Sequence, residues 1–332
     1  MDWSLIGHQW AVDLLAEHVA HARQRHAYLI TGPQGIGRRT LALRFTQALN
    51  CTDPPIPGKP CLQCSTCKRI STSLYPDLFV VQAEHEGEVL KIDQVRELQH
   101  NLSLVPYEAG YKVALILRFE EAHPSAANAM LKTLEEPPER VVVILTASSA
   151  ESLLPTIVSR CEVIRLRPLS TEETSKGLQF LKGLPAEEAD RLAHISGGRP
   201  GYAIRLIEQP GLFEQRLAWL EDLFGIFKSS RAERFAFAKE LAENKDKLRD
   251  ELQVWLTLWR DIFVLTSGST AHVNNLDYSD QLNELAQNVG MRGAQLYIRA
   301  VENTLEGIDH NVNPRLALEV LLLDFPKISI SV

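Results

Sequence analysis

The first half of the chain alternates short apolar runs with amphipathic stretches. Ala27-Tyr28-Leu29-Ile30-Thr31, Leu78-Phe79-Val80-Val81, Lys112 to Leu117, Val141 to Thr146 and residues 162–166 are the apolar runs. None of the longer ones alternates with polar residues, as a strand facing water on one side would. They read as strands buried on both faces, the mark of a parallel sheet. Between them, apolar positions fall at helical spacing. Val12, Leu15 and Val19 mark a helix over residues 9–23, and further helices are predicted over 38–50, 93–103 and 125–135. Asp93 can cap the third of these. This order predicts an α/β domain, a parallel sheet with helices on both faces. Residues 51–67, rich in Pro, Gly and Cys, interrupt the pattern and are predicted to hold no regular structure.

The pattern changes at Ser170. Ser170-Thr171-Glu172-Glu173 has the form of a capping box, and no long buried strand follows. Residues 170–207 read as a small helical segment closed by Gly197-Gly198-Arg199-Pro200-Gly201. Residues 210–326 read as all helical, with Leu217, Leu220, Leu223 and Phe224 on one apolar face and Leu252, Trp255, Leu256 and Trp259 on another. The expected division is 1–168, 169–208 and 209–332, which suits a chain of 332 residues.

Composition narrows the function class. Apolar content of 45% and charged content of 23% are those of an ordinary globular protein. No apolar run reaches the roughly 18–20 residues of a membrane span. Met1-Asp2-Trp3-Ser4 offers no basic or apolar leader, which points to a cytoplasmic chain. A net charge of −7 weighs against a protein that coats nucleic acid by itself.

Gly32-Pro33-Gln34-Gly35-Ile36-Gly37 lies between a predicted strand and a predicted helix, the setting of a phosphate-binding P-loop. Glycines there let backbone N–H groups turn toward phosphate oxygens. The motif then requires Lys and Ser/Thr, where this chain has Arg38 and Arg39, with Thr40 one place late. Arg39 cannot ligate magnesium, and Arg38 is a forked, bulkier cation than Lys. The strand that would end in two acids ends in Leu117-Arg118, with Glu120 and Glu121 beyond it. Both motifs of a working ATPase are therefore altered, and nucleotide occupancy stays open.

Four cysteines, Cys51, Cys61, Cys64 and Cys67, fall within 17 residues, three of them as CxxCxxC. That spacing suits a tetrahedral zinc site of four thiolates, which is structural because no ligand position stays open. Cys161 stands apart, in the turn Ser159-Arg160-Cys161. An Arg held in such a turn suits presentation to the phosphate of a nucleotide on another subunit, because the guanidinium is planar, forked and always charged.

Together, the Gly32–Gly37 loop, Leu49-Asn50-Cys51 with the CxxCxxC cluster, the Asn-Ala-x-Leu-Lys-Thr-Leu-Glu-Glu-Pro-Pro stretch of residues 128–138 and Ser159-Arg160-Cys161 resemble the AAA+ clamp-loader subunits of bacterial DNA polymerase III. The resemblance implies an AAA+ domain with an inserted zinc module at 51–67, a helical lid over 169–208 and a helical collar over 209–332. It further implies a pentameric ring with gamma/tau and delta subunits, in the cytoplasmic replisome at the nucleoid, that loads a sliding clamp on primed DNA. In that ring Arg160, beside Ser159, would be an arginine finger for the neighbouring gamma/tau site, and Thr146 would match the sensor-1 region. The altered motifs resemble a member that does not hydrolyse ATP. An ATP-hydrolysing motor of gamma/tau type, with Arg38 and Glu120 as replacements, is the alternative. A zinc module that binds nucleic acid is a third reading.

Overall fold

The computed structural model describes residues 3–84, 88–108, 110–243, 245–309 and 312–328. It divides into two compact units. One runs to Ala189 and includes Gly198–Tyr202; the other comprises Asp190–Gly197 and the residues from Ala203 onward. Residues 169–208 are thus shared between the two units.

In the first unit, β1 (Ala27–Thr31), β2 (Leu78–Val81), β3 (Lys112–Ile116), β4 (Val141–Ala147) and β5 (Glu162–Arg165) form one sheet. Its order is β2-β3-β4-β1-β5 and every pairing is parallel. β1, β3 and β4 are buried along their whole length, as continuous apolar runs predict. Successive side chains point to opposite faces. Tyr28, Ile30, Leu115 and Ile144 share a core with Leu15 of α1 (Gln9–Ala20) and Phe45 of α2 (Arg38–Asn50). Leu29, Ile116 and Leu145 share the opposite core, with helices α4 (Ile92–Ser103) and α5 (Pro124–Glu135) contributing Leu98 and Met130. The predicted α/β sheet with helices on both faces is therefore present.

Local details differ from expectation. The Cys-rich stretch is not wholly irregular, since α3 (Ser65–Ser71) begins inside it. Cys64 is the N-cap, and its sulfur accepts the Cys67 N–H, the part a Ser or Asp oxygen usually plays. α4 starts one residue early, and Asp93 is not its cap. Gln94 Oε1 accepts the Lys91 N–H at 3.0 Å instead, and Asp93 sits in the first turn, where the helix dipole favours an acid. α6 is the single turn Pro155–Val158 before β5. After that strand α7 (Thr171–Lys182) opens with the expected capping box, Ser170 Oγ accepting the Glu173 N–H at 3.1 Å. Gly197–Gly201 does not close the helical segment. It links α8 (Ala186–Ser196) to α9 (Pro200–Glu208), and Pro200 takes the first helical position, where its missing N–H costs nothing.

The second unit is helical, with α10 (Pro210–Lys228), α11 (Arg231–Leu241), α12 (Lys245–Thr266), α13 (Ser279–Asp309, broken at Gly290) and α14 (Pro314–Asp324). Aromatic rings dominate its core: Trp259 lies 5.4 Å from Phe227 and Phe325 and 4.6 Å from Tyr297. The expected apolar faces hold except at Leu217 and Leu256, which are half-buried. Arg216 is buried beside Leu217 and bonds Asn275 Oδ1. Buried Asp261 accepts the N–H groups of Asn274 and Asn275, each at 2.8 Å, which satisfies its charge. Arg234 donates to the carbonyls of Leu322, Phe325 and Pro326 and so caps the C-terminal end of α14. Among the described residues no helix is long and apolar enough to cross a membrane.

Glu251 on α12 is 3% exposed. Burial, with the Asp222 carboxylate adding to it, pushes Glu251 up to about 8. The unfolded chain releases that proton at about pH 4.3, so from there to pH 8 the folded state holds the extra proton. Stability therefore falls as pH rises through this window. Glu251→Gln is expected to flatten that fall and to raise the melting temperature most above pH 8. Melting curves of both chains at pH 5 and 9 check this; equal losses in the two would remove Glu251 as the cause.

Candidate functional site

The glycine loop joins β1 to α2, the position a P-loop takes in such a sheet. Gly32, Gly35 and Gly37 adopt φ of 146°, 79° and 110°. A Cβ on Gly35 would meet Tyr202 Cβ at 2.8 Å, so both the angle and the close approach demand glycine there. The loop is braced from behind. Gly35 O accepts the N–H groups of Gly201 (2.7 Å) and Tyr202 (3.2 Å), and Ile36 O meets His8 Nε2 at 3.2 Å. The Gly32 N–H is taken by the carbonyls of Ala147 and Ser148. Arg38, half-buried, and exposed Arg39 and Thr40 fill the first turn of α2. Two guanidinium groups at the positive end of a helix leave a phosphate attracted and a magnesium ion repelled.

The second motif is altered in the same sense. β3 stops at Ile116, buried Leu117 follows, and Arg118 takes a left-handed conformation with φ 50°. The Arg118 N–H donates to buried Thr146 Oγ1 at 3.0 Å, and its Nε donates to Glu121 Oε1 at 2.9 Å. Glu120 and Glu121 lie past the strand end, in a 3-10 turn over Phe119–Glu121. Glu120 Oε1 accepts the Ser148 N–H at 2.9 Å, from the residue whose carbonyl helps hold Gly32. Its other oxygen is buried without a hydrogen-bond partner among the described residues.

The four predicted cysteines come together, their sulfurs all within 4.8 Å of one another. Tetrahedral zinc with bonds of about 2.3 Å sets sulfurs roughly 3.8 Å apart, so little contraction is needed. Backbone N–H groups already point at the sulfurs: Cys61 N–H to Cys51 at 3.3 Å, Cys64 N–H to Cys61 at 3.2 Å and Cys67 N–H to Cys64 at 3.4 Å. Burial raises the Cys64 thiol, but the Cys67 N–H and Thr52 outweigh it and bring it to about 6, while burial pushes Cys67 up. The donor set fits a metal ion that takes thiolates. Gln47 on α2 is buried and donates to the Cys67 carbonyl at 2.7 Å, which fastens the cluster to the domain.

Arg160 follows α6. Its side chain is half-exposed, with Nη1 donating to Thr156 O at 2.8 Å and Nη2 to Glu135 Oε1 at 2.5 Å. Ser159 is exposed, and its Oγ donates to Thr156 O at 3.2 Å. Cys161 is half-buried against the core, and burial raises its thiol to about 12, which leaves it inert. Sequence reasoning missed one feature, a cavity of about 560 Å³ lined by His8, Trp10, Arg165, Arg167, Leu169 and Glu173. The Arg165-x-Arg167 pair at the end of β5 was the signal available. His8, whose burial lowers its basicity, joins the cavity to the Ile36 carbonyl.

A family model described as DNA polymerase III, delta subunit, matches residues 7–170, and one described as its C-terminal part matches residues 210–327. DNA polymerase III subunit delta′ of Pseudomonas aeruginosa is 32% identical, over 96% of this chain and 97% of its own length. The chain belongs to the DNA polymerase III delta′ family. The delta′ subunit of Bacillus subtilis is 26% identical over 93% of each chain. A gamma subunit of Buchnera aphidicola is 25% identical over 96% of this chain and 94% of its own. Delta′ and gamma relatives thus both align along nearly the full chain, and the residues of the site must tell them apart.

Proposed function

We propose that this chain is a non-hydrolysing member of the replicative clamp loader. In this reading it stands in a pentameric ring with gamma/tau and delta subunits, which opens a sliding clamp and sets it on primed DNA. Arg160, supported by Ser159, completes the ATP site of the adjacent gamma/tau subunit. The Cys51, Cys61, Cys64, Cys67 cluster holds structural zinc, residues 169–208 serve as lid and 209–332 as collar. The carrying observation is the cationic character of the chain's own site. Arg38, Arg39 and Arg118 stand where Lys, a magnesium-binding hydroxyl and a carboxylate are needed, and Arg118 is engaged with Glu121. A magnesium ion has no ligand at those positions, and phosphoryl transfer needs that ion.

One observation favours the motor reading instead. Glu120 has a buried, unpartnered oxygen close behind the loop, as a residue awaiting a water or a metal would. ATP turnover by the isolated chain separates the two. No turnover is expected. Turnover above background that Glu120→Gln abolishes would replace this reading with the motor.

A further inference from the structure

Arg160 stands on a weak platform. α6 is a single turn of four residues, and a long, flexible side chain just beyond it would sample many rotamers. Two anchors on opposite arms of the guanidinium prevent this. Nη1 is held by the Thr156 carbonyl at 2.8 Å, with Ser159 Oγ at 3.5 Å, and Nη2 by Glu135 Oε1 at 2.5 Å. A guanidinium carries five N–H donors, so these bonds fix its plane without exhausting it.

Glu135 is poorly placed for any purpose of its own helix. It is the last residue of α5, where the negative end of the helix dipole disfavours an acid. Its carboxylate is 49% exposed and the Arg160 side chain 34%, so the pair adds little to stability. What the pair does fix is direction. Its two supports are rigid relative to each other, because Leu134 beside Glu135 and Ile157 on α6 are buried in one apolar layer.

We infer that Glu135 is a positioning residue for Arg160, holding the guanidinium in the orientation in which it meets the nucleotide phosphate of the neighbouring subunit. This rests on Arg160 acting in trans, as proposed above. The pair joins two stretches of the sequence, the Leu134-Glu135-Glu136-Pro137 end of one and the Ser159-Arg160 turn of the other, into one device.

The test uses the reconstituted clamp loader with wild-type chain, Glu135→Ala, Glu135→Gln and Arg160→Ala. Misplacing a catalytic group by an ångström can cost up to about 10²-fold, and a loosened Arg that still visits its place costs less. Glu135→Ala is therefore expected to lower kcat at the neighbouring subunit's site, read by single-turnover measurement, on the order of tenfold. KM for ATP should not change, because Glu135 does not touch the nucleotide. Glu135→Gln keeps an acceptor oxygen at the same reach and should recover most of the rate. A kcat that is unchanged or raised in Glu135→Ala overturns the inference, and so does a loss carried by KM or one that Gln fails to recover. The Arg160→Ala arm separates the two levels. If it cuts turnover while Glu135→Ala does not, only the Glu135 inference falls; if it has no effect, the trans-acting reading itself has failed.

Discussion

Arg160→Ala is expected to cut ATP turnover at the neighbouring subunit's site by roughly 10³-fold or more, the range measured for arginine fingers. The guanidinium meets charge that spreads over the phosphoryl oxygens in the transition state, so the loss should fall on kcat and leave ATP binding nearly intact. Arg160→Lys should recover little. A compact ammonium cannot take the Thr156 carbonyl and the Glu135 carboxylate on two separate arms and still reach a phosphate. Because Arg160 is half-exposed and its ion pair is worth little, the variant should melt within about two degrees of wild type. Single-turnover measurement on the assembled loader resolves this one site. Equal rates for wild type and Arg160→Ala would sink the trans-acting role.

The second large effect is expected at the cysteines. Cys67→Ser removes the one fully buried sulfur of the cluster, and the remaining three ligands should no longer hold zinc tightly. A structural zinc site contributes on the order of 10 kcal/mol to the fold it closes, since the ligands gather only when it binds. Metal analysis should fall from one ion per chain to none. Hydrogen exchange should become fast across 51–71, while β1 and β4 keep their protection. The effect should spread into α2 only as far as Gln47, whose bond to the Cys67 carbonyl ties cluster to helix. A chelator applied to wild type should reproduce the change. Full protection of 51–71 in metal-free protein would show that the segment needs no metal.

Much of the sheet was legible because parallel strands carry their burial in composition. Val141 to Thr146 can be little else than a strand covered on both faces, and every residue of β4 is buried. The cysteines and the loop glycines were legible because their chemistry sets their spacing. What could not be read were partnerships between polar groups distant in sequence. Arg216, Asp261 and Glu251 look like surface residues of amphipathic helices, yet all three are buried. Asp261 is satisfied by Asn274 and Asn275 of a later loop and by neighbouring Arg260, and nothing in local periodicity announces that. Arg160 announces a role by its motif, but its partner Glu135 lies 25 residues earlier and is chosen by the packing of α5 against α6. The end of β3 was legible only to within about two residues, and the left-handed turn at Arg118 decides where Glu120 and Glu121 go.

The strand order has a consequence for how the chain is made. β1 lies between β4 and β5, and its Ala27 pairs with Val143. A ribosome adding roughly 5–20 residues per second makes β4 about 6–23 seconds after β1. During that interval β1, with Tyr28 and Ile30 on one face and Leu29 on the other, has no neighbouring strand to pair with. It must be sheltered by α1, by α2 or by a chaperone, and the safety of this protein in the cell begins with those few seconds.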